Sequence, residues 1–199
     1  MERNPTMATY LGIHEYDDLL PDISKEKHLR DIEFMEEILQ KLEQFDPDDL
    51  SSDNQIARSL GIHLMNLLLY EMDELKQWDK APSLPDTVGS GIFPLIRREF
   101  APFEERLDSI IGRIEDVPRL TEEEKTKLDE PIELWIDMAI ESAEQLPMLM
   151  KLVLTISQQQ YIDEDKMKKL NKVINEADQA LEDYIEWLKK NEQYQEFLK

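Results

Sequence analysis

The stretch LGIHEYDDLLPD, Leu11 to Asp22, sets His14 beside Glu15 and follows them with Asp17, Asp18 and Asp22. A zinc-peptidase turn requires a second histidine four residues after the first. Ligands at that spacing share one helical face, and the glutamate between them can activate a metal-bound water. The fourth residue after His14 is Asp18, Pro21 interrupts any helix through the run, and no apolar stripe accompanies it. The stretch therefore reads as an acidic structural corner. Tyr16 should pack its ring on the helical body, Asp17 or Asp22 should accept backbone N–H groups, and Ser24 should cap the helix that follows.

Other candidates are equally isolated. His63 in LGIHLMNLLLY is surrounded by Leu60, Leu64 and Leu67 at helical spacings, with no His or Cys nearby, which predicts a core or half-buried histidine and not a ligand. Arg97 and Arg98 form an adjacent basic pair for which ordinary salt bridges to neighbouring helices are expected. In VGSGIFP, Pro94 stands where a phosphate loop would have its third glycine, no strand precedes it and no Lys-Ser/Thr follows. A carboxylate-bridged di-iron site needs Glu-x-x-His, but the residues three before the histidines are Leu11, Lys25 and Leu60. No Gly-x-Ser-x-Gly elbow is present either. No catalytic, cofactor-binding or metal-ligating residue is assigned, and no bound zinc is expected.

The totals narrow the function classes. The 199 residues suffice for a sizeable core. With no cysteine, disulfides, thiolate nucleophiles and cysteine-based metal sites are excluded. A formal net charge of −22 repels phosphate, so no nucleic-acid partner is expected. The 41% hydrophobic residues, set at helical spacings, indicate a folded chain despite that charge. MERNPTMATYLG lacks a signal-peptide core, and the apolar run LPMLMKLVLTIS is shorter than the ~18 residues of a span and contains Lys151, so a cytoplasmic protein without membrane contact is expected.

Periodicity predicts an all-α chain, a multi-helix bundle of about six to eight helices in a single domain over residues 1–199. Residues 1–23 form an N-terminal extended and turn segment, 24–79 a helical hairpin, and 103–190 a helical bundle. The first hairpin helix carries Ile32, Met35, Ile38, Leu39, Leu42 and Phe45. The second should begin at a capping box of Ser52 and Gln55 and run to about Trp78. Its nearly all-round apolar surface predicts a central position in the bundle. Residues 77–102, rich in proline and glycine, read as a long crossover with a short helix near Ile96.

A third helix carries Phe103, Leu107, Ile110, Ile111 and Ile114. It should end in a turn at Val117 to Thr121, with Thr121 and Glu124 capping a short acidic helix. Pro131 suits the start of a helix through Ile136 and Ala143, and Pro147 should break or kink it. The last helix alternates spacings of three and four through Met167, Leu170, Ile174, Ala177, Leu181, Tyr184 and Leu188. Val173, Ala180 and Trp187 widen that seam, which favours packing into a bundle core, with a homodimer through the 164–190 helix as the second possibility.

The first block also resembles a known family. In NPTMATYLGIHEYDDLLPDIS, residues Pro5, Thr9, Gly12, Tyr16, Asp17, Pro21, Asp22 and Ser24 stand in the places of the opening pattern of domain-of-unknown-function family 885. ERLDSIIGRIEDVPRLTEEEKTKLDEPIELWIDMAIE and ALEDYIEWLKK are similar to its later patterns. The resemblance implies an all-helical, zinc-peptidase-like protein distantly similar to gluzincins, with its His-Glu-x-x-Pro-Gly-His-like metal motif in a C-terminal half. Nothing in this sequence matches that motif, so the resemblance assigns no catalytic role to any residue. It implies a non-catalytic N-terminal helical domain that shapes or covers a substrate cleft, with the catalytic half or another helical protein surface as partner. The other reading is a stand-alone acidic helical interaction module without enzymatic activity.

Overall fold

The computed structural model describes residues 3–160 and 162–196, with side chains as far as position 190. The architecture is all-α. A short helix α1 (Pro5–Tyr10) opens the chain, capped by Asn4, whose side chain accepts from the Met7 amide. Gly12 ends the unit at φ +79°, a left-handed conformation that costs glycine little. The acidic stretch then runs through one turn of 3-10 helix, His14–Tyr16, into α2 (Lys25–Glu43).

Ser24 caps α2 as expected, its hydroxyl accepting from the Lys27 amide, while Asp22 accepts from the Ser24 amide and hydroxyl. Helix α3 (Ser52–Leu69) packs antiparallel on α2 and continues as a π-helical turn, Tyr70–Leu75. Its cap is Ser51, one residue earlier than expected; Gln55 instead donates to the Pro47 and Leu50 carbonyls and ties down the interhelical turn. The helix stops short of Trp78 because Lys76 adopts the left-handed conformation, and one further turn, α4 (Gln77–Lys80), follows.

The largest departure from expectation is the segment read as a crossover. Residues 84–97 form a full helix, α5 (Leu84–Arg97). Pro85 occupies the first turn, where its missing N–H costs nothing, and Pro94 falls close enough to the end to break only one internal bond. Burial compensates for the poor propensity: Leu84, Val88, Ile92 and Leu95 are fully buried along one face.

Helix α6 (Phe103–Glu115) packs on that face, and α7 (Val117–Lys127) follows almost at once. The expected turn at Val117 to Thr121 is the first turn of α7. Pro118 starts it, and Thr121, buried within it, donates to the Pro118 carbonyl instead of capping. Helices α8 (Glu133–Ala143) and α9 (Leu146–Gln159) are separated where Pro147 requires it. The long final helix α10 (Glu164–Glu196) lays Leu170, Val173, Ala177, Leu181, Tyr184 and Leu188 into the core, against α6, α7, α8 and α9.

The bundle therefore consists of α5 to α10, with α1 on its flank and the α2–α3 hairpin outside it. Only Ile32 of α2 is buried and no residue of α3 is, which reverses the expected central position of α3. A buried ion pair closes the bundle beside the hairpin. Lys127 Nζ lies 3.0 Å from Glu124 Oε1 and donates to the Ser83 hydroxyl at 2.7 Å, both charged side chains being fully buried. Burial lowers the affinity of Lys127 for its proton, and Glu124 opposes that shift.

Helix α6 approaches the N-terminal corner so closely that a Cβ at Gly112 would lie 2.8 Å from the Asp18 carbonyl oxygen, whereas a Cβ at Gly89 would meet nothing within 4 Å. Gly112→Ala is therefore expected to lower the unfolding free energy by about 1–3 kcal/mol. Gly89→Ala should leave it unchanged or raise it by up to ~1 kcal/mol through helix propensity. Urea titration of the two variants measures both.

Candidate docking surface

The acidic corner is organised by a guanidinium from the bundle. Arg113, fully buried on α6, donates through Nε to the Leu19 carbonyl at 3.0 Å, through Nη1 to the Gly91 carbonyl, and through Nη2 to the Thr9 hydroxyl at 2.6 Å. Thr9 has one proton to give and places it on Asp17, 2.6 Å away, so the hydroxyl relays between guanidinium and buried carboxylate. Burial holds Arg113 down to about 10, while Asp17 and Asp18 pull it upward; it is charged at neutral pH.

His14 supplies Asp17 with a second partner at 2.7 Å and stacks on Phe100 with ring centroids 3.8 Å apart. His14 and Glu15 thus belong to a corner, where the histidine covers a buried aspartate. Of the basic pair, Arg98 donates to the Tyr10 and Thr9 carbonyls at 2.8 and 3.3 Å, capping α1, and its guanidinium lies over the Tyr10 ring. Carbonyls take the place of the carboxylate expected as its partner. Arg97 is exposed at the end of α5.

The hairpin hangs from this corner through α2. Arg30 reaches Asp22 at 3.0 Å, and the Ile23 amide donates to Glu123 of α7. His28, which the spacing of ligands gave no reason to single out, stacks on Trp78 with centroids 4.9 Å apart and bonds the Ser24 carbonyl through Nδ1 at 2.8 Å. A carbonyl can only accept, so Nδ1 carries the proton. Trp78 in turn donates to the Met72 carbonyl within the π-helical turn, locking the base of α3 to the start of α2.

Against α2, α3 offers Gly61, where a Cβ would lie 3.0 Å from Leu42, and Arg58, which donates to the Leu42 and Glu43 carbonyls. The opposite side carries the apolar stripe. Ile56, Leu60, Leu64, Leu67 and Tyr70 are 43–68% exposed, and His63 is exposed in the middle of the row. This corrects the expectation of a core or half-buried His63: its leucine neighbours are real, but they face outward with it. Contiguous exposed leucines along one helix face form an apolar patch that calls for an explanation, unlike scattered single ones.

Among the open grooves elsewhere, two lie along α5 and α8. One, of about 670 Å³, runs over α5 beside Tyr10, Phe93 and Leu149, with Asp86 its sole carboxylate; a smaller one, of about 300 Å³, is bounded by Gln77, Trp135 and Met138. Neither brings together an acid–base pair. Among the described residues no three His, Cys, Asp or Glu side chains are placed to hold a metal ion, and no helix is long and apolar enough to cross a membrane.

Fold and surface together define an all-helical bundle with an appended hairpin whose outer face is apolar and uncovered. The chain belongs to the family described as bacterial protein of unknown function (DUF885), whose model matches residues 5–196. A comparison with curated proteins finds no match. Among solved structures, the chain is similar to a protein of unknown function from Shewanella oneidensis described as a candidate lipoprotein. The TM-score is 0.83 at 22% identity, over 97% of this chain and 35% of that one. That likeness establishes the fold, and the chain spans about a third of the length of its neighbour.

The hairpin anchor has a pH signature. Burial lowers His28 below its ordinary 6.5, with the Ser24 carbonyl opposing the shift and Lys127 and Lys27 adding to it. The unfolded chain then binds a proton that the folded chain refuses, so this contribution is fully present above pH 6.5 and is lost as the pH falls through the lowered value. Unfolding free energy measured from pH 7.5 to 5 should fall for the wild type. It should fall less for His28→Phe, which keeps the stacking and removes the titration.

Proposed function

We propose that this chain is a non-catalytic N-terminal helical domain of a zinc-peptidase-like DUF885 protein, packing through the outer face of α3 against a further helical body and shaping or covering its substrate cleft. The uncovered apolar row of α3 carries this reading. Burying an exposed leucine contributes roughly 1.5–3 kcal/mol, so a helix that leaves several in water retains a strong drive to be covered. Two facts support it: membership of the family and the Shewanella oneidensis neighbour extending far beyond the matched region. The resemblance of the opening block to peptidase-like sequences supplies the cleft.

The coding sequence downstream of the Lys199 codon tests the proposal. An in-frame continuation encoding a His-Glu-x-x-His-type motif is expected. A stop codon directly after Lys199 would contradict the reading and favour a free-standing acidic interaction module.

A further inference from the structure

The α3 face also specifies what covers it. Its exposed row, from Ile56 to Tyr70, spans about 21 Å at ~1.5 Å per residue, and repeats at the spacings of three and four that a second helix matches by interlocking side chains. Charge is distributed with equal order. More than one residue in five of the chain is acidic, yet Asn54 to Tyr70 contains no Asp or Glu. Acids return at both ends, where Asp53 precedes the row and Glu71 and Glu74 follow it, all exposed.

This arrangement rejects a second copy of the same chain. An antiparallel pairing of two α3 helices would bring Asp53 toward Glu74, and a parallel pairing would set each acid against its twin. Either leaves like charges at both ends of a desolvated seam, between partners that each carry −22. Basic groups at the ends of an apolar row would convert the same positions into attraction.

We infer that α3 docks an amphipathic helix whose apolar stripe, about four turns long, is flanked at both ends by Lys or Arg. The inference rests on reading α3 as a docking face. It adds the chemistry of the occupant, whether that helix belongs to the same polypeptide or to another. His63 lies exposed in the middle of the row, so the partner faces it with an apolar or hydrogen-bonding side chain.

The probe is a fluorescein-labelled designed helix of about 18 residues, with leucines on one face and lysines at both ends. Its controls are a twin with glutamates for lysines and a scramble of the same composition. Fluorescence anisotropy should show saturable one-to-one binding of the lysine helix alone. Leu60→Asp/Leu67→Asp should weaken it by about tenfold or more. Asp53→Asn/Glu71→Gln/Glu74→Gln should weaken it and flatten its salt dependence, while Met148→Asp, altering an exposed apolar residue of α9, should leave it unchanged. All substituted residues are exposed, and circular dichroism verifies that each variant remains helical. Equal binding of the scramble, indifference to Leu60→Asp/Leu67→Asp, or a wild-type dimer dissolved by that double variant would each overturn the inference. A downstream metal motif found together with any of these results would leave the domain reading standing and remove this one.

Discussion

One buried cation holds the N-terminal part of this protein in place. The Arg113 guanidinium bonds a carbonyl of the incoming segment, a carbonyl of α5 and, through Thr9, the carboxylate of Asp17. Two stretches far apart in sequence, the corner from Thr9 to Leu19 and helix α5, are thereby fixed around one side chain of α6. Burying a guanidinium is costly unless its donors are occupied and a counter-charge is near, and here both conditions are met. The demand explains the corner's composition. An aspartate, a hydroxyl and a close-packed glycine at 112 are what let a charged group sit inside a helical bundle. Arg106, one heptad earlier on the same helix, repeats the device at the end of α5, donating to the Leu95 and Ile96 carbonyls.

The same constraint decides what is left outside. Once the corner is docked on α6, α2 leaves it at a fixed place, and among the described residues α3 packs chiefly on α2 and on the π-helical turn that continues it. The apolar row on its far side cannot be reached by the bundle. The molecule thus separates into a bundle core that α5, α6 and α10 dominate and a hairpin whose own packing covers one side of α3 alone. The absence of acids from that row, in so acidic a chain, fits a surface meant to be desolvated.

Much of the fold was legible in the sequence. The three-and-four spacing of α10, the break at Pro147 and the cap at Ser24 are local consequences of side-chain geometry, and each is found. What periodicity could not decide was direction. LGIHLMNLLLY shows an apolar helix, but the same pattern serves a central helix and a docking face, and only the placement of α2 separates them. Helix α5 is hidden in the sequence because proline and glycine have the lowest helix propensities. Burial of Leu84, Val88, Ile92 and Leu95 outweighs that preference, and Pro85 and Pro94 lie near the ends where they do least harm. At the site, Arg113 and Arg106 carry no motif, because a buried cation is marked by the helix face it shares and not by its chemistry. Their seven-residue separation beside Leu107, Ile110 and Ile114 was the available signal for buried cations. His28 acts through Trp78, fifty residues away in sequence, a contact that no local pattern encodes.

Amide hydrogen exchange along the chain tests most directly whether α3 lies outside the core. The slowest amides should fall in α5, α6 and α10, with α3 exchanging markedly faster in a cooperative unit with α2. Protection of α3 equal to that of α5 would contradict the architecture, because it would place the leucines of α3 inside the core and not on an exposed face.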